Sequence, residues 1–325
     1  MNSLLENLTN PALLYFILGI LAVQLKNDLK IPDNSSRFIS IYLLMCIGFK
    51  GGNELSHNEL SMEALGSLGL GFALASMIPV GAFLLLRRKV SIPNAGAIAA
   101  AYGSVSAVTF VTAISFLDFE QVSYDGHMIA VMALMEAPAI VVGLLLIKLF
   151  SKGADSPAAA NTSFRQVLQH SLNNASVFLI LGSLLIGYLA SDQQAEGIKP
   201  FTTDIFKGFL AVFLLDMGIR AGGQLSSLRQ NGITLFLFAG LFPFVNGLIG
   251  LSLASLVTQS AGNMLLFAIL AAGASYIAVP AAYKQAVPEA NPGIYLPMAL
   301  GITFPINIII GIPFYYYLIQ QMVVA

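Results

Sequence analysis

A ten-residue stretch, IGFKGGNELS at residues 47–56, recurs as MGIRAGGQLS at residues 217–226. In both copies, two apolar residues flank a glycine, and a basic residue, a small residue and a second glycine follow. The copies lie 170 residues apart in a chain of 325 residues. The sequence therefore predicts that the protein consists of two related halves.

Two further pairs of segments support this repeat. AAAYGSVSAVT at residues 99–109 aligns with LAAGASYIAVP at residues 270–280, at an offset of 171. The tripeptide MAL occurs at residues 132–134 and again at residues 298–300, and a proline follows each copy shortly afterwards. Three blocks in the same order at nearly one offset indicate a repeat that covers both halves of the chain.

The composition places this repeat in a membrane. Hydrophobic residues make up 57% of the chain and charged residues only 10%, whereas a soluble domain carries about a quarter charged residues. The 15 basic and 16 acidic side chains nearly cancel, which argues against a nucleic-acid partner. A single cysteine, Cys46, excludes an internal disulfide and a cysteine-built metal site. The lipid bilayer is therefore the expected surroundings.

We predict an all-α polytopic fold with ten transmembrane helices, since about 20 apolar residues cross the hydrocarbon core. No Lys or Arg precedes Lys26, so the first segment lacks the charge of a cleaved signal peptide. The predicted spans are residues 9–25, 36–51, 61–86, 93–116, 126–149, 167–190, 201–222, 231–258, 262–285 and 293–321.

The basic residues predict the orientation of the spans. With the N-terminus outside, 12 of the 15 Lys and Arg residues fall on the inner side, so both termini are expected outside a cytoplasmic (inner or plasma) membrane. Five helices per repeat is an odd number, so the second copy is inverted. The predicted units are residues 1–155, a short cytoplasmic linker at 156–166, and residues 167–325.

The fourth and ninth spans are candidates for the binding site because small and hydroxyl residues interrupt them. The fourth contains Gly103, Ser104, Ser106 and Thr109, and residues 273–280 are the matching part of the ninth. If both helices unwind here, their half-helix N-termini attract an anion, and freed carbonyls and hydroxyls bind Na⁺. The alternative is that these small residues only permit close helix packing.

Polar residues within other spans form a second group of candidates. Glu136 and Asp216 are carboxylates inside predicted spans, where an unpaired charge costs several kcal/mol. Either could bind a cation or carry a proton, or could instead make a structural hydrogen bond. Asp216 lies one turn from Arg220 and could pair with it at the interface. Asn307 is a further candidate, and Lys50, the repeat equivalent of Arg220, either reaches the interface or acts in gating.

At this point the sequence resembles a known family, the sodium-dependent bicarbonate transporters. The resemblance rests on GSVSAVT at 103–109, the acid-x-Pro at Glu136, FLLDMG at 213–218, SYIAVPAA at 275–282 and PEANP at 288–292. It covers essentially the whole chain. The sequence departs from the family's pattern by having Ala107, Val108 and Tyr276 where the characterised cyanobacterial members have other residues.

The resemblance implies ten helices arranged as a core domain and a gate domain, and Na⁺-coupled uptake of an anion, with bicarbonate as the first expectation. It also implies a homotrimer and, in cyanobacterial members, inhibition by a PII-like regulatory protein on the cytoplasmic side. The expected substrate-binding residues are Gly103, Ser104, Ser106, Ala274, Ser275 and Tyr276. The expected sodium-binding or coupling residues are Ser106, Thr109, Glu136, Ala278 and Asp216, and Na⁺ is the only expected metal ion.

Two other readings remain open at this point. One is a proton- or Na⁺-coupled organic anion transporter with a bile-acid-symporter-like layout, in which Glu136 and Asp216 are the coupling groups. The other is a membrane-embedded enzyme or sensor. The sequence shows no nucleophile–base pair, metal cluster or soluble output domain, so we expect that the protein is not an enzyme.

Overall fold

A computed structural model describes residues 11–57, 61–151, 175–228 and 232–324. Within these ranges the chain forms helices and no strand, which confirms the all-α class. The predicted linker at 156–166 lies outside the described residues.

The helices follow the predicted spans, with two of the spans broken in the middle. The first half contains α1 Pro11–Gln24, α2 Asp33–Ser56, α3 Met62–Leu86, α4 Ile92–Gly103, α5 Ala107–Phe119 and α6 His127–Phe150. The second contains α7 Ala175–Leu189, α8 Asp192–Lys199, α9 Phe206–Leu228, α10 Ile233–Ala254, α11 Ala261–Ala271 and α12 Ala278–Ala286. The C-terminal helix comprises α13 Pro292–Met298, a π-helical turn Ala299–Thr303, α14 Phe304–Ile306, a π-helical turn Asn307–Gly311 and α15 Ile312–Val324.

Five of these stretches are long and apolar enough to cross a membrane. They are Met62–Leu86, Ile92–Phe119, His127–Phe150, Ile233–Ala254 and Pro292–Met322. Shorter apolar helices lie at Pro11–Gln24, Ala175–Leu189 and Ala261–Ala271. The count of ten spans therefore stays a prediction.

The seventh predicted span differs from the structure. The sequence places it at residues 201–222, whereas α9 runs from Phe206 to Leu228. The short helix α8 and a π-helical turn, Pro200–Asp204, precede it. Ser191 caps α8 with a capping box, which explains why a separate helix begins there.

Four helices, α1, α2, α7 and α9, form what we call the four-helix panel. In it α2 packs on α7, and α9 packs on α1. A Cβ atom on Gly48 would lie 2.7 Å from the Cβ of Ser183 in α7, and one on Gly218 would lie 3.1 Å from the Cα of Gly19 in α1. The two contacts are close enough that only glycine fits.

These two contacts are related by the sequence repeat. Gly48 and Gly218 are equivalent positions, and each packs on the first helix of the other half of the chain. Gly52 and Gly222 extend the contacts by one turn, on Tyr188 and Ile20. Each half thus packs one of its helices on the first helix of the other half, which is the arrangement expected if the two halves are intertwined repeats.

The remaining helices form what we call the crossed-helix body, in which α3, α4 and α6 pack on one another and α10 packs on α11. Within it, the breaks at residues 104–106 and 272–277 lie at the ends of α4 and α11. Both breaks are buried except at Ile277, whose side chain is about half exposed. The body therefore positions the two segments that the sequence singled out.

We expect Gly218→Ala to destabilise the folded protein, because the added methyl group would overlap the backbone of α1. Overpacking of this kind costs about 1–3 kcal/mol. Gly208→Ala in the same helix is the matched control, since its Cβ would meet nothing within 4 Å. Thermal denaturation of both purified variants tests this, and equal melting temperatures would contradict the close α1–α9 packing.

Candidate functional site

The first broken helix places a pair of hydroxyl groups side by side where α5 begins. Ser106 is the N-cap of α5, and its Oγ accepts hydrogen bonds from the backbone N–H of Thr109 at 3.2 Å and from the Thr109 hydroxyl at 2.8 Å. Both residues are buried. Two of the predicted sodium-binding residues therefore form one contiguous polar group inside an apolar body.

The second broken helix meets the first directly. The backbone N–H of Ser275 donates to the carbonyl of Ala101, the third-last residue of α4, at 2.7 Å. A Cβ atom on Gly273 would lie 3.3 Å from the backbone nitrogen of Ser106. The structure thus brings together the predicted residues of the two halves at one place, which we call the crossing.

The other predicted residues of the two breaks are backbone positions. Gly103 ends α4 against Pro79 of α3, where a side chain would overlap the proline ring. Ala274 is buried within the second break, and Ala278 is the first residue of α12. Since none of the three has a polar side chain, any contact with a polar ligand would come from their main-chain atoms.

The C-terminal helix covers the crossing with two polar residues. Asn307 donates from Nδ2 to the carbonyl of Ala272 at 2.6 Å. Thr303 lies 2.9 Å from the Tyr102 hydroxyl and donates to the carbonyl of Ala239 at 2.8 Å. Sequence reasoning singled out Asn307 but missed Thr303 and Tyr102, although Thr303 lies one helical turn from Asn307.

Three buried polar groups near these elements lack a partner among the described residues. Ser104 Oγ and Asn307 Oδ1 are buried and have no hydrogen-bond partner among the described residues. The Glu136 side chain has neither a hydrogen bond nor an ion pair in the described parts of the chain, although only 9% of the residue is exposed. Because buried polar groups are nearly always paired, these three fit a site that takes a polar ligand.

Glu136 lies on the face of α6 that packs on α4. Gly143 of α6 contacts Ala100 of α4. Glu136 precedes Gly143 by seven residues, or about two helical turns, so both residues lie on the same face of α6. Ile147 contacts Gly96, so the two helices run antiparallel, and Glu136 lies toward the C-terminal end of α4. This is the end at which the crossing begins.

A cavity of about 720 Å³ leads to the crossing from one end of the molecule. Its floor consists of Tyr276, Ile277 and Ala278, at the start of α12, and Arg37 and Arg220 line it as well. Lining residues also come from α2, α7 and α9 of the four-helix panel. We call this end the Arg220 end, and the cavity the large cavity.

Tyr276 separates the large cavity from the hydroxyl pair. Its ring packs edge-on against Phe304 at 5.9 Å between centroids, and its hydroxyl points to the sulfur of Met217 at 3.8 Å. The same phenol lies beside Ser106. A solute entering from the large cavity therefore meets Tyr276 before it reaches Ser106.

Asp216 lies in an ion-pair network rather than at the helix breaks. Arg220 contacts Asp216 through Nε and Asp33 through a terminal nitrogen, each at 2.9 Å. The Ser36 hydroxyl donates to the same Asp216 oxygen. The network joins α2 to α9 beside the large cavity. Asp216 therefore pairs with Arg220, which is one of the alternatives that the sequence left open for this carboxylate.

A second polar cluster, which the sequence did not suggest, joins the N-terminal ends of α3, α6 and α11. Glu63, Asp125 and His127 place one potential metal-ligand atom each within 4.8 Å of the others. The amide of Asn263 donates to both carboxylates, and the Thr258 hydroxyl donates to Glu63. These hydrogen bonds account for the cluster as a structural link between the three helices.

Two interrupted helices that cross inside an apolar helical protein are typical of secondary transporters. Residues 11–320 match the Na⁺-dependent bicarbonate transporter superfamily, and the chain therefore belongs to that superfamily. This confirms the resemblance found in the sequence. No curated protein matches the chain.

The two serines of the first break should respond differently to substitution. Ser106→Ala removes the N-cap of α5, which costs about 0.5–2 kcal/mol. Ser104→Ala removes a buried hydroxyl that bonds to nothing among the described residues, so it should not lower the free energy of unfolding. Denaturation of both variants in Na⁺-free buffer measures the difference. A larger loss for Ser104→Ala would show that this hydroxyl has a structural role.

Proposed function

We propose that the protein couples the inward movement of Na⁺ to the uptake of a small anion, with bicarbonate as the first candidate. The observation that carries this proposal is the crossing, where two broken helices and unpaired buried polar groups meet in a member of this superfamily. Both solutes would bind there, and the site would open alternately to the two sides of the membrane. An inward Na⁺ gains about 2.3 kcal/mol per 100 mV of membrane potential.

The residues at the crossing suit a sodium ion. Na⁺ prefers oxygen ligands, and the hydroxyls of Ser106, Thr109 and Ser275 supply them together with main-chain carbonyls of the two breaks. Glu136 is a candidate to balance the charge of the ion. The chemistry that Na⁺ supplies is a positive charge beside the anion.

The same place suits an anion. Helices α5 and α12 both begin at the crossing, and a helix N-terminus carries free N–H groups and a partial positive charge. Ser104 offers an unpaired hydroxyl as a further donor. Tyr276 would contact the anion as it passes from or to the large cavity.

The wider arrangement belongs to the same proposal. The chain would form ten spans as a five-plus-five inverted repeat, with a core domain moving against a gate domain and both termini outside. The Arg220 end would then face the cytoplasm, so that the large cavity is the inward-facing path. Assembly as a homotrimer in a cytoplasmic membrane, and contact with a PII-like protein, would follow the superfamily's pattern.

Uptake into liposomes tests the proposal. Labelled bicarbonate should accumulate in vesicles of the wild-type protein only when Na⁺ is supplied outside, because Na⁺ completes the anion site. Ser106→Ala should abolish the Na⁺-dependent part. Ser76→Ala is the matched control, since this exposed hydroxyl bonds only to its own helix. Equal uptake with and without Na⁺ would contradict the coupling, and full activity of Ser106→Ala would contradict the site.

One observation favours a second candidate, in which protons drive the uptake of a larger organic anion. Glu136 has no hydrogen-bond or ion-pair partner among the described residues, and a buried carboxyl group without a counter-ion is a candidate to bind and release a proton. The large cavity also exceeds the size of bicarbonate and is partly lined by apolar residues such as Phe213 and Leu300.

Glu136→Gln distinguishes the two candidates. In the Na⁺-coupled case the variant should bind bicarbonate more weakly yet still require Na⁺, whereas in the proton-coupled case uptake driven by a pH gradient should disappear. Glu196→Gln, an exposed acid on α8, is the control. Wild-type transport by Glu136→Gln under both gradients would assign Glu136 a structural role.

A further inference from the structure

The repeat relates two pairs of oppositely charged residues. Lys50 in α2 corresponds to Arg220 in α9 at the offset of 170. Asp118, near the end of α5, corresponds to Glu289, just after α12, at the offset of 171. In each half of the chain, therefore, the repeat pairs a basic residue on a panel helix with an acidic residue at or just after the end of a broken helix.

The two basic residues lie at opposite ends of the molecule. Arg220 bonds to Asp33, the first residue of α2, whereas Lys50 lies seventeen residues further along the same helix. At 1.5 Å per residue this places them about 25 Å apart along α2. We call the second end the Lys50 end.

At the Lys50 end the ion pair is formed. Lys50 Nζ lies 3.2 Å from Asp118 Oδ2, and both side chains are about two-thirds buried. The pair ties α2 of the four-helix panel to α5 of the crossed-helix body. The ammonium group also lies 5.9 Å from the centre of the Tyr124 ring. The panel and the body are thus fastened together at this end.

At the Arg220 end the equivalent pair is not formed. Arg220 bonds to Asp33 and Asp216, which both belong to the panel. Glu289 is exposed and makes no ion pair with any described residue. The large cavity lies between α9 and α12, and is lined by Arg220 on one side and Ala282 on the other.

The cavities show the same asymmetry. A small cavity of about 30 Å³ lies toward the Lys50 end, lined by Leu210, Ser115 and Thr112. Leu210 is the repeat equivalent of Ser40, which lines the large cavity of about 720 Å³. The cavity is therefore large at the Arg220 end, where the ion pair is absent, and small at the Lys50 end, where the ion pair is formed.

We propose that Lys50–Asp118 and Arg220–Glu289 are alternating gate pairs, of which one forms as the other breaks. The inference rests on the alternating access proposed above. In the second state Arg220 releases Asp33 and pairs with Glu289, the large cavity closes, and the small cavity opens. The charges thus hold each end shut in turn, and neither pair touches the solutes at the crossing.

Cysteine labelling measures the two states without any solute. In a Cys46→Ala background, which removes the single native cysteine, Ser40→Cys reports on the large cavity and Ser115→Cys on the small one. The rate of alkylation by a small water-soluble maleimide gives the accessibility of each position in purified protein. No step of this measurement requires transport.

Loss of the formed pair should shift the equilibrium toward the second state. Lys50→Gln should raise the labelling rate at position 115 and lower it at position 40, by about two- to five-fold, as expected for a partly exposed ion pair. The charge reversal Lys50→Asp with Asp118→Lys should restore the wild-type rates. Lys199→Gln breaks the exposed Lys199–Glu196 pair and is the control that should change neither rate.

The variant at the other end acts in the opposite direction. Glu289→Gln should lower the labelling rate at position 115, because it weakens only the second state, and its exposed side chain makes loss of folding no concern. Unchanged rates in both Lys50→Gln and Glu289→Gln would overturn the gate pairs, even if Na⁺-dependent uptake persists. The expected shifts without any uptake would uphold the gate pairs and contradict the proposed transport instead.

Discussion

The hydrogen bond from Ser275 to Ala101 joins the two broken helices, and the rest of the site depends on it. A helix that breaks inside an apolar body leaves N–H and carbonyl groups unpaired, and each costs several kcal/mol unless it finds a partner. Here the two breaks provide partners for each other, and Asn307 provides another for Ala272. Crossing is therefore the condition under which two interrupted helices can be buried at all.

That condition also explains why polar side chains collect at one place. Ser106 caps α5, and the Ser275 hydroxyl accepts a hydrogen bond from the backbone N–H of Val279 in the first turn of α12, so both hydroxyls lie where the N-termini of α5 and α12 converge. The same groups that stabilise the restart are suited to a cation, and the helix N-termini are suited to an anion. The atoms that stabilise the helix starts are thus the same atoms that would bind the two solutes. The Ser104 hydroxyl, which has no partner among the described residues, is available for a solute as well.

Local features of this site could be predicted from the sequence, whereas its long-range partners could not. Glycine and serine favour a break, and Pro280 lies in the first turn of α12, where a proline is tolerated, so both breaks overlap the segments 103–109 and 273–280 that the sequence indicated. The Tyr102–Thr303 contact spans 201 residues and the Ser36–Asp216 contact spans 180, and no local pattern reports such pairs. The panel contacts are an intermediate case, because the repeat marked Gly48 and Gly218 as equivalent but gave no hint of their partner helices.

In the proposed function, the crossing binds a cation and an anion together. Calorimetric titration of bicarbonate into the purified protein, in Na⁺ buffer and in matched K⁺ buffer, measures whether the two ligands bind together. We expect bicarbonate to bind at least about ten-fold tighter in Na⁺, equal to about 1.4 kcal/mol of coupling between the two ligands. Equal affinity in the two buffers would contradict it, because the anion would then bind without help from the cation.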